Sequence, residues 1–255
     1  MIIPLENTKA AEELFEGWQE TIIWSCLQKV MGEIYGDHPQ FPKCAMAVLG
    51  DFCFLAGEPS RELVRYRPES RKEDFVIMVP QNGQWAQLIK ECYKDKAREI
   101  TRYAIKKDTV FDRERLKAAI CSLPSDYEMG FIDRAGYDLC MAETWSRDLV
   151  AQFKDYEMFE RLGLGVIAVR KEDGMLVSGA SSYSRYLEGI EVEIDTRAEF
   201  RRKGLALACG ALLILECLER GLYPSWDAHN MGSVRLAEKL GYCMEGEYRG
   251  WEVRG

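Results

Sequence analysis

The chain has only two histidines, His38 and His229, and no Cys-x-x-Cys pair among its nine cysteines, so no local spacing offers a zinc site. Those cysteines (Cys26, Cys44, Cys53, Cys92, Cys121, Cys140, Cys209, Cys217 and Cys243) are odd in number and unpatterned. They read as reduced, mostly buried thiols of a cytoplasmic protein, not as a disulfide framework. The N-terminal Met-Ile-Ile-Pro-Leu-Glu-Asn-Thr-Lys has no basic region followed by an apolar core, so a secretory signal is not expected. The longest apolar run, after Gly204, falls well short of a membrane span. Excess positive charge is missing too. Lys and Arg number 34 against 42 Asp and Glu, a net charge of −8, which argues against nucleic acid as the main partner. Metal, membrane and nucleic acid are thus not expected; oligomeric state is not legible.

What is present is an ordinary globular composition, 47% hydrophobic and 30% charged over 255 residues. That length suits one large domain or two of about 125 residues. One stretch organises the rest. Ile190, Val192 and Ile194 alternate with Glu191, Glu193 and Asp195, the period of a half-buried strand. Arg201, Arg202, Lys203 and Gly204 then lead into the uncharged run 205–215, which suits a helix. A helix start carries unpaired N–H groups and the positive dipole end, and Gly204 with Ala206 lets an anion approach that backbone. The local basic turn in an acidic chain therefore predicts a small anionic ligand, with a phosphate at 201–206.

Taken in order, Trp18, Ile22, Cys26, Val30 and Ile34 fall at four-residue steps and predict a helix over 18–34, stopped by Gly36. Residues 44–57 predict a hairpin turning at Gly50-Asp51. The charged stretch 61–74 predicts a solvated loop. A strand over 75–79, a helix over 84–93, a strand over 97–105 and a helix over 113–121 follow. Ser122-Leu-Pro-Ser then divides the chain into 1–125 and 126–255. The second half predicts a strand at 127–133, short helices at 136–142 and 146–153, and a turn-rich connection at 159–165. Strands at 166–170 and 175–184 join at Asp173-Gly174. Strand 190–196, a helix to about 220, a short strand to Asp227, a helix over 230–241 and final strands turning at Gly246 or Gly250 complete it. The first half loosely echoes this β-β-β-α-β-α-β-β order without a second basic glycine turn, so a duplication with a degenerate first copy is one account of it.

Arg201-Arg-Lys-Gly204-Leu-Ala206, after a strand and opening a helix, resembles the Q/R-x-x-G-x-G/A signature of GNAT-type N-acetyltransferases. Asn230, Ser233, Leu236 and Gly241-Tyr242 resemble the asparagine helix and the glycine-aromatic end of the same fold, and the match covers about 126–255. Val177-Ser-Gly-Ala-Ser-Ser182 and Ile190-Glu-Val-Glu-Ile-Asp-Thr196 resemble the zwittermicin A resistance branch, whose members carry an extra N-terminal domain. The resemblance implies a mixed α/β GNAT fold: a central sheet with splayed parallel strands flanked by helices, preceded by an α/β N-terminal domain. It implies acetyl-CoA as cosubstrate, lying between strands 190–196 and 223–227, and a small-molecule amine as acceptor. Ile194 and Thr196 would pair with pantetheine through their main chain. Arg201, Arg202, Lys203, Gly204, Leu205 and Ala206 would hold the pyrophosphate, and Asn230 and Ser233 would touch the thiol end.

Acetyl transfer needs a neutral amine, a polarised thioester carbonyl and a protonated thiolate. Glu191 and Glu193 share one face of the central strand, and His229 precedes Asn230; each is a candidate base, beside the plainer reading of a polar sheet face and a loop histidine. The tyrosine that many GNAT enzymes offer to the thiolate is Ala237 here. Tyr242, Ser233 or solvent could replace it, or the chain could be an acyl-CoA-binding regulator without turnover.

Overall fold

Residues 1–68 and 75–254 are described by the computed structural model, and they fall into two units, Met1–Arg102 with Glu247–Gly255 and Tyr103–Gly246. In the first, β1 (Ile3–Pro4), a 3-10 turn over Thr8–Phe15, α1 (Thr21–Leu27) and β2 (Glu33–Gly36) precede the hairpin β3 (Cys44–Leu49) and β4 (Phe52–Gly57). Then come α2 (Arg61–Arg65), β5 (Phe75–Pro80), α3 (Gly83–Tyr93) and β6 (Ala97–Ile105). The hairpin at Gly50 forms as its sequence predicts, with Leu49 opposite Phe52 and Gly50 left-handed at φ 54°. Asn82 starts α3 by accepting from the N–H groups of Gln84 and Trp85 at 3.0 and 3.2 Å. That helix buries Trp85 and Ile89 against Met46, Leu55 and Met78.

Three expectations fail in this unit. The helix predicted over 18–34 ends at Leu27, because Lys29 and Gly32 turn left-handed and Ile34 enters β2. A Cβ at Gly32 would stand 2.5 Å from Cys26 Sγ and 2.7 Å from the Val48 carbonyl, so the chain must turn closely there. Gly36, the expected helix stop, closes β2 instead. The charged stretch 61–74 begins as α2, capped by Ser60 and burying Leu63 and Val64, while 69–74 lie outside the described residues.

The second unit runs through α4 (Arg113–Cys121), β7 (Tyr127–Phe131), α5 (Arg134–Ala142), a 3-10 turn (Arg147–Leu149) and α6 (Tyr156–Leu162). It continues with β8 (Gly165–Arg170), β9 (Leu176–Tyr186), β10 (Gly189–Thr196), α7 (Leu205–Glu219), β11 (Tyr223–Ser225), β12 (Asp227–Ala228) and α8 (Met231–Leu240). β13 (Met244–Arg254) ends the chain, and from Glu247 it belongs to the first unit. The first unit's sheet has the order β1-β2-β3-β4-β5-β13-β6; the second unit's has β11-β10-β9-β8-β7. α7 lies on that second sheet through Cys209, Leu213 and Ile214, which join Val166, Ala180, Ile190 and Val192 in one core.

The observed division comes earlier than Ser122–Ser125. α4 packs on α7, Arg113 pairs with Glu219, and Arg115 donates to the Glu238 carbonyl at 2.9 Å, so residues before 126 belong to the second unit. The first part of the 159–165 connection, to Leu162, is the end of α6, started by Asp155, which accepts from the Met158 N–H at 2.8 Å. The second of the short helices shrinks to the 3-10 turn at Arg147–Leu149. The C-terminal strands are one strand that passes through both glycines without turning.

Candidate functional site

β10 and β11 run parallel only through Gly189–Tyr223, Ile190–Pro224 and Glu191–Ser225. β11 then stops, and β12 pairs with Tyr103 and Ala104 of β6, so among the described residues β10 continues to Thr196 with β9 on one edge and no strand on the other. Two bonds show which way its backbone points. Arg197 N–H donates to the Val177 carbonyl at 3.0 Å, and the Glu188 carbonyl accepts from Tyr223 N–H at 2.8 Å. Odd residues therefore face β9, and Val192, Ile194 and Thr196 turn their amides and carbonyls into the gap that β11 vacates. For Ile194 this is the edge its sequence predicts. Thr196 is already engaged: its N–H donates to Asp195 Oδ1 at 2.7 Å and its carbonyl accepts from Arg201 Nε at 3.1 Å.

The side chains sort as the alternation requires. Ile190 and Val192 join the core under α7, and a Cβ at Gly210 of α7 would touch Ile194 at 3.0 Å. Glu191, Glu193 and Asp195 occupy the other face, where the Leu149 side chain packs on Gly179 of β9. Glu191 is buried and Glu193 half-buried. Asp195, which sequence reasoning left out of the site although the alternation put it on this face, has its carboxyl pushed up by burial. The Thr196 N–H, Arg201 and His229 pull it partly back, and Asp148 adds to the rise.

At the end of the gap, α7 begins on Gly204, left-handed at φ 83°, with no side-chain cap and no acid in its first turn. A Cβ there would meet nothing within 4 Å. The amides of Leu205 and Ala206 are thus left to a ligand, and the open backbone fits a phosphate. Arg202 is also left-handed, at φ 62°, a conformation that costs a non-glycine residue about 1 kcal/mol. Arg201, Arg202 and Lys203 are exposed. Lys203 Nζ sits 4.6 Å over the Phe200 ring, and Arg201 turns toward Thr196 and, at 3.9 Å, Asp195. A cavity of about 580 Å³ borders Phe200 and Lys203 on the β8 side of this turn. Two of its three cations have partners of their own, Arg170 in Asp173 and Lys171 in the Ser125 carbonyl.

Asn230 and Ser233 have structural work. Asn230 Oδ1 caps α8 by accepting from the Ser233 N–H at 2.9 Å, and its Nδ2 lies 2.8 Å from Nε2 of the exposed His229. Ser233 Oγ accepts from Trp226 Nε1 at 3.1 Å. Ala237 is fully buried, leaving no room for a tyrosine. The Tyr242 hydroxyl donates to the Pro224 carbonyl at 2.6 Å, and burial lifts its proton affinity well above the ordinary phenol, so it is a strut and not an acid. Among the described residues no group of three or more His, Cys, Asp or Glu is placed to hold a metal ion, and no helix is long and apolar enough to cross a membrane.

Residues 12–251 match the family model described as GNAT acetyltransferase. A GCN5-related N-acetyltransferase-like protein from Streptococcus suis 89/1591 is 49% identical, with a TM-score of 0.91 over 98% of this chain and 99% of that one. An uncharacterized N-acetyltransferase, YdfB, of Bacillus subtilis (strain 168) is 25% identical over 89% of this chain and 88% of its own length. A tandem GNAT protein from the clavulanic acid biosynthesis pathway, 11% identical, shares the fold with a TM-score of 0.59 over 100% of this chain and 98% of its own. The family model takes in most of the first unit as well as the second, and the two sheets are those of a mixed α/β GNAT fold. The chain belongs to the GNAT acetyltransferase family and is an N-acetyltransferase.

Proposed function

We propose that this chain transfers an acetyl group from acetyl-CoA directly to the amine of a small molecule, an aminated metabolite or antibiotic of the kind met by the zwittermicin A resistance branch. The parting of β10 from β11 after Glu191 and Ser225 carries the reading. It leaves a strand edge of Val192 and Ile194 for an amide-bearing arm, ending at the uncapped start of α7. Ile194 pairs with the pantetheine, and the amides of 202–206 hold the pyrophosphate with charge from Arg202 and Lys203. Thr196 joins that rail once Asp195 and Arg201 release it, and Arg201 is then free to turn to the phosphates. Acetyl-CoA brings the activated acetyl group as a thioester. The Ile194 N–H, facing the gap, is the donor for the oxyanion.

The acceptor arrives as an ammonium and must lose a proton. Glu191, Glu193 and Asp195 make the face it meets acidic, which suits a cationic amine. His229 is the second candidate base, across the gap. Ser233 accepts from Trp226, a role that leaves its own proton available to the thiolate. The test is calorimetry with acetyl-CoA, followed by thiol release over polyamines, aminoglycosides and amino acids. Saturable binding with acceptor-dependent release supports the reading. Binding without release by any amine in the panel would favour the regulator, and no heat at all would remove the CoA site.

A further inference from the structure

Thr196 ends β10 with both of its gap-facing backbone groups taken by neighbours on its own chain. Its N–H donates to Asp195 Oδ1 at 2.7 Å, and its carbonyl accepts from Arg201 Nε at 3.1 Å. Arg201 also stands 3.9 Å from Asp195 Oδ1, so one carboxylate and one guanidinium close over the end of the strand edge. The backbone beneath them is pinned separately. Ser178 Oγ of β9 donates to the Asp195 carbonyl at 3.0 Å and lies 2.7 Å from Thr196 Oγ1. Releasing Thr196 therefore takes two side-chain rotations and no movement of the strand. Arg201 has room to swing, because its side chain is 64% open to solvent.

Asp195 faces more than Arg201. Asp148 of the turn at Arg147–Leu149 adds repulsion, His229 after β12 adds attraction, and Glu193 lies two residues along the same face. Burial disfavours the Asp195 charge, and the Thr196 N–H and Arg201 are the largest influences that offset it. Taking both away leaves a half-buried carboxylate, close to a second acid, that needs a cation from elsewhere.

We propose that acetyl-CoA opens this latch, and that the Asp195 carboxylate, stripped of both donors, then docks the ammonium group of the acceptor. The inference rests on the acetyl-CoA reading. The pantetheine arm takes over the Thr196 N–H and carbonyl, and the pyrophosphate takes over Arg201. Asp195 thereby becomes a specificity-determining residue for a cationic amine, and one that is ready only when the cosubstrate is in place. No covalent bond forms or breaks in this step.

The test begins with acetyl-CoA alone, by calorimetry on the full chain. Asp195→Ala removes the latch and should tighten binding about threefold or more. Glu199→Gln takes a charge of the same sign from the same turn without touching Thr196, and should change affinity by less than about twofold. The titration is repeated at about pH 5, in the carboxylate range, in buffers of different ionisation enthalpy. Binding to the parent should take up more protons than binding to Asp195→Asn, because a carboxylate that loses its donors gains proton affinity. Subtracting the variant cancels the ligand's own phosphate titration. An Asp195→Ala affinity no tighter than the parent's, or equal proton uptake in the parent and Asp195→Asn, would overturn the latch. If Asp195→Ala does not fold, proton uptake decides. Thiol release with the fastest amine of the panel then reads the docking. KM for that amine should rise about fivefold or more in Asp195→Asn, with kcat within about twofold of the parent. An unmoved KM would overturn the docking role. Release from no amine removes the transfer and the docking with it, while the calorimetry still decides the latch. No heat with acetyl-CoA from parent or variant would instead remove the CoA site itself.

Discussion

Gly204 is where the anion site is narrowest. Its φ of 83° strains any L-residue by about 1–2 kcal/mol, while the space beyond its Cα is open. Gly204→Ala should therefore lower stability and change acetyl-CoA affinity little. Gly204→Glu should weaken binding at least about tenfold, because a carboxylate then faces the pyrophosphate. Similar affinities in the two folded variants, read by calorimetry, would remove the phosphate from this turn. Tyr242 makes a contrasting case. Tyr242→Phe leaves the buried Pro224 carbonyl without its donor and should cost about 1–3 kcal/mol in urea unfolding, with kcat nearly unchanged. A large fall in kcat at unchanged stability would make the phenol the acid after all. For Asp195 the sign follows from burial. A carboxyl raised in the fold makes its ionised form costlier there than in the unfolded chain, so stability falls as pH rises through the carboxylate range. Asp195→Asn should melt higher than the parent at neutral pH, the gap closing below the ordinary Asp pKa; a gap independent of pH would contradict this.

Among the elements, α7 and β10 are tied through Gly210. A Cβ there would stand 2.9 Å from Leu240 Cδ1 and 3.0 Å from Ile194 Cδ1, so Gly210→Ala must push the strand that offers the rail. It should lower Tm and also acetyl-CoA affinity, whereas Gly83→Ala, at a helix start with open space, should leave affinity alone. Equal affinities would show that Ile194 can yield without cost. The same pair explains what could be read from sequence. Ile190, Val192 and Ile194 show a plain two-residue period, and Gly204 marks the helix start, so strand, turn and helix are all legible. The gap is expected only through the resemblance of the Arg201–Ala206 turn, because nothing in Tyr223-Pro-Ser225 itself says that pairing ends there. α6 hides because Gly163 and Gly165 suggest a turn, while the decisive Asp155 cap lies upstream of the stretch in question. The helix expected at 18–34 carries a true four-residue period, but Gly32 must pass within reach of Cys26 and Val48.

At the scale of the molecule, each unit shows a parallel strand pair among its described residues, and the two pairs differ. β4 and β5 stay joined through Phe52–Ile77, Cys53–Met78, Phe54–Val79 and Leu55–Pro80, with the Gln81 N–H still donating to the Leu55 carbonyl at 3.0 Å. The helix after β4 is capped by Ser60 and carries Glu62 in its first turn, which repels an anion. We infer that the first unit is the copy whose gap is closed and that it binds no second acetyl-CoA. The open edge of β10 beside Gly204 is then the chain's one place for the cosubstrate. Calorimetric titration of the full chain with acetyl-CoA, run beside Gly204→Glu, tests this most directly. The account predicts one saturable site per chain that is lost or much weakened in the variant. Two sites, or one site indifferent to Gly204→Glu, would contradict it.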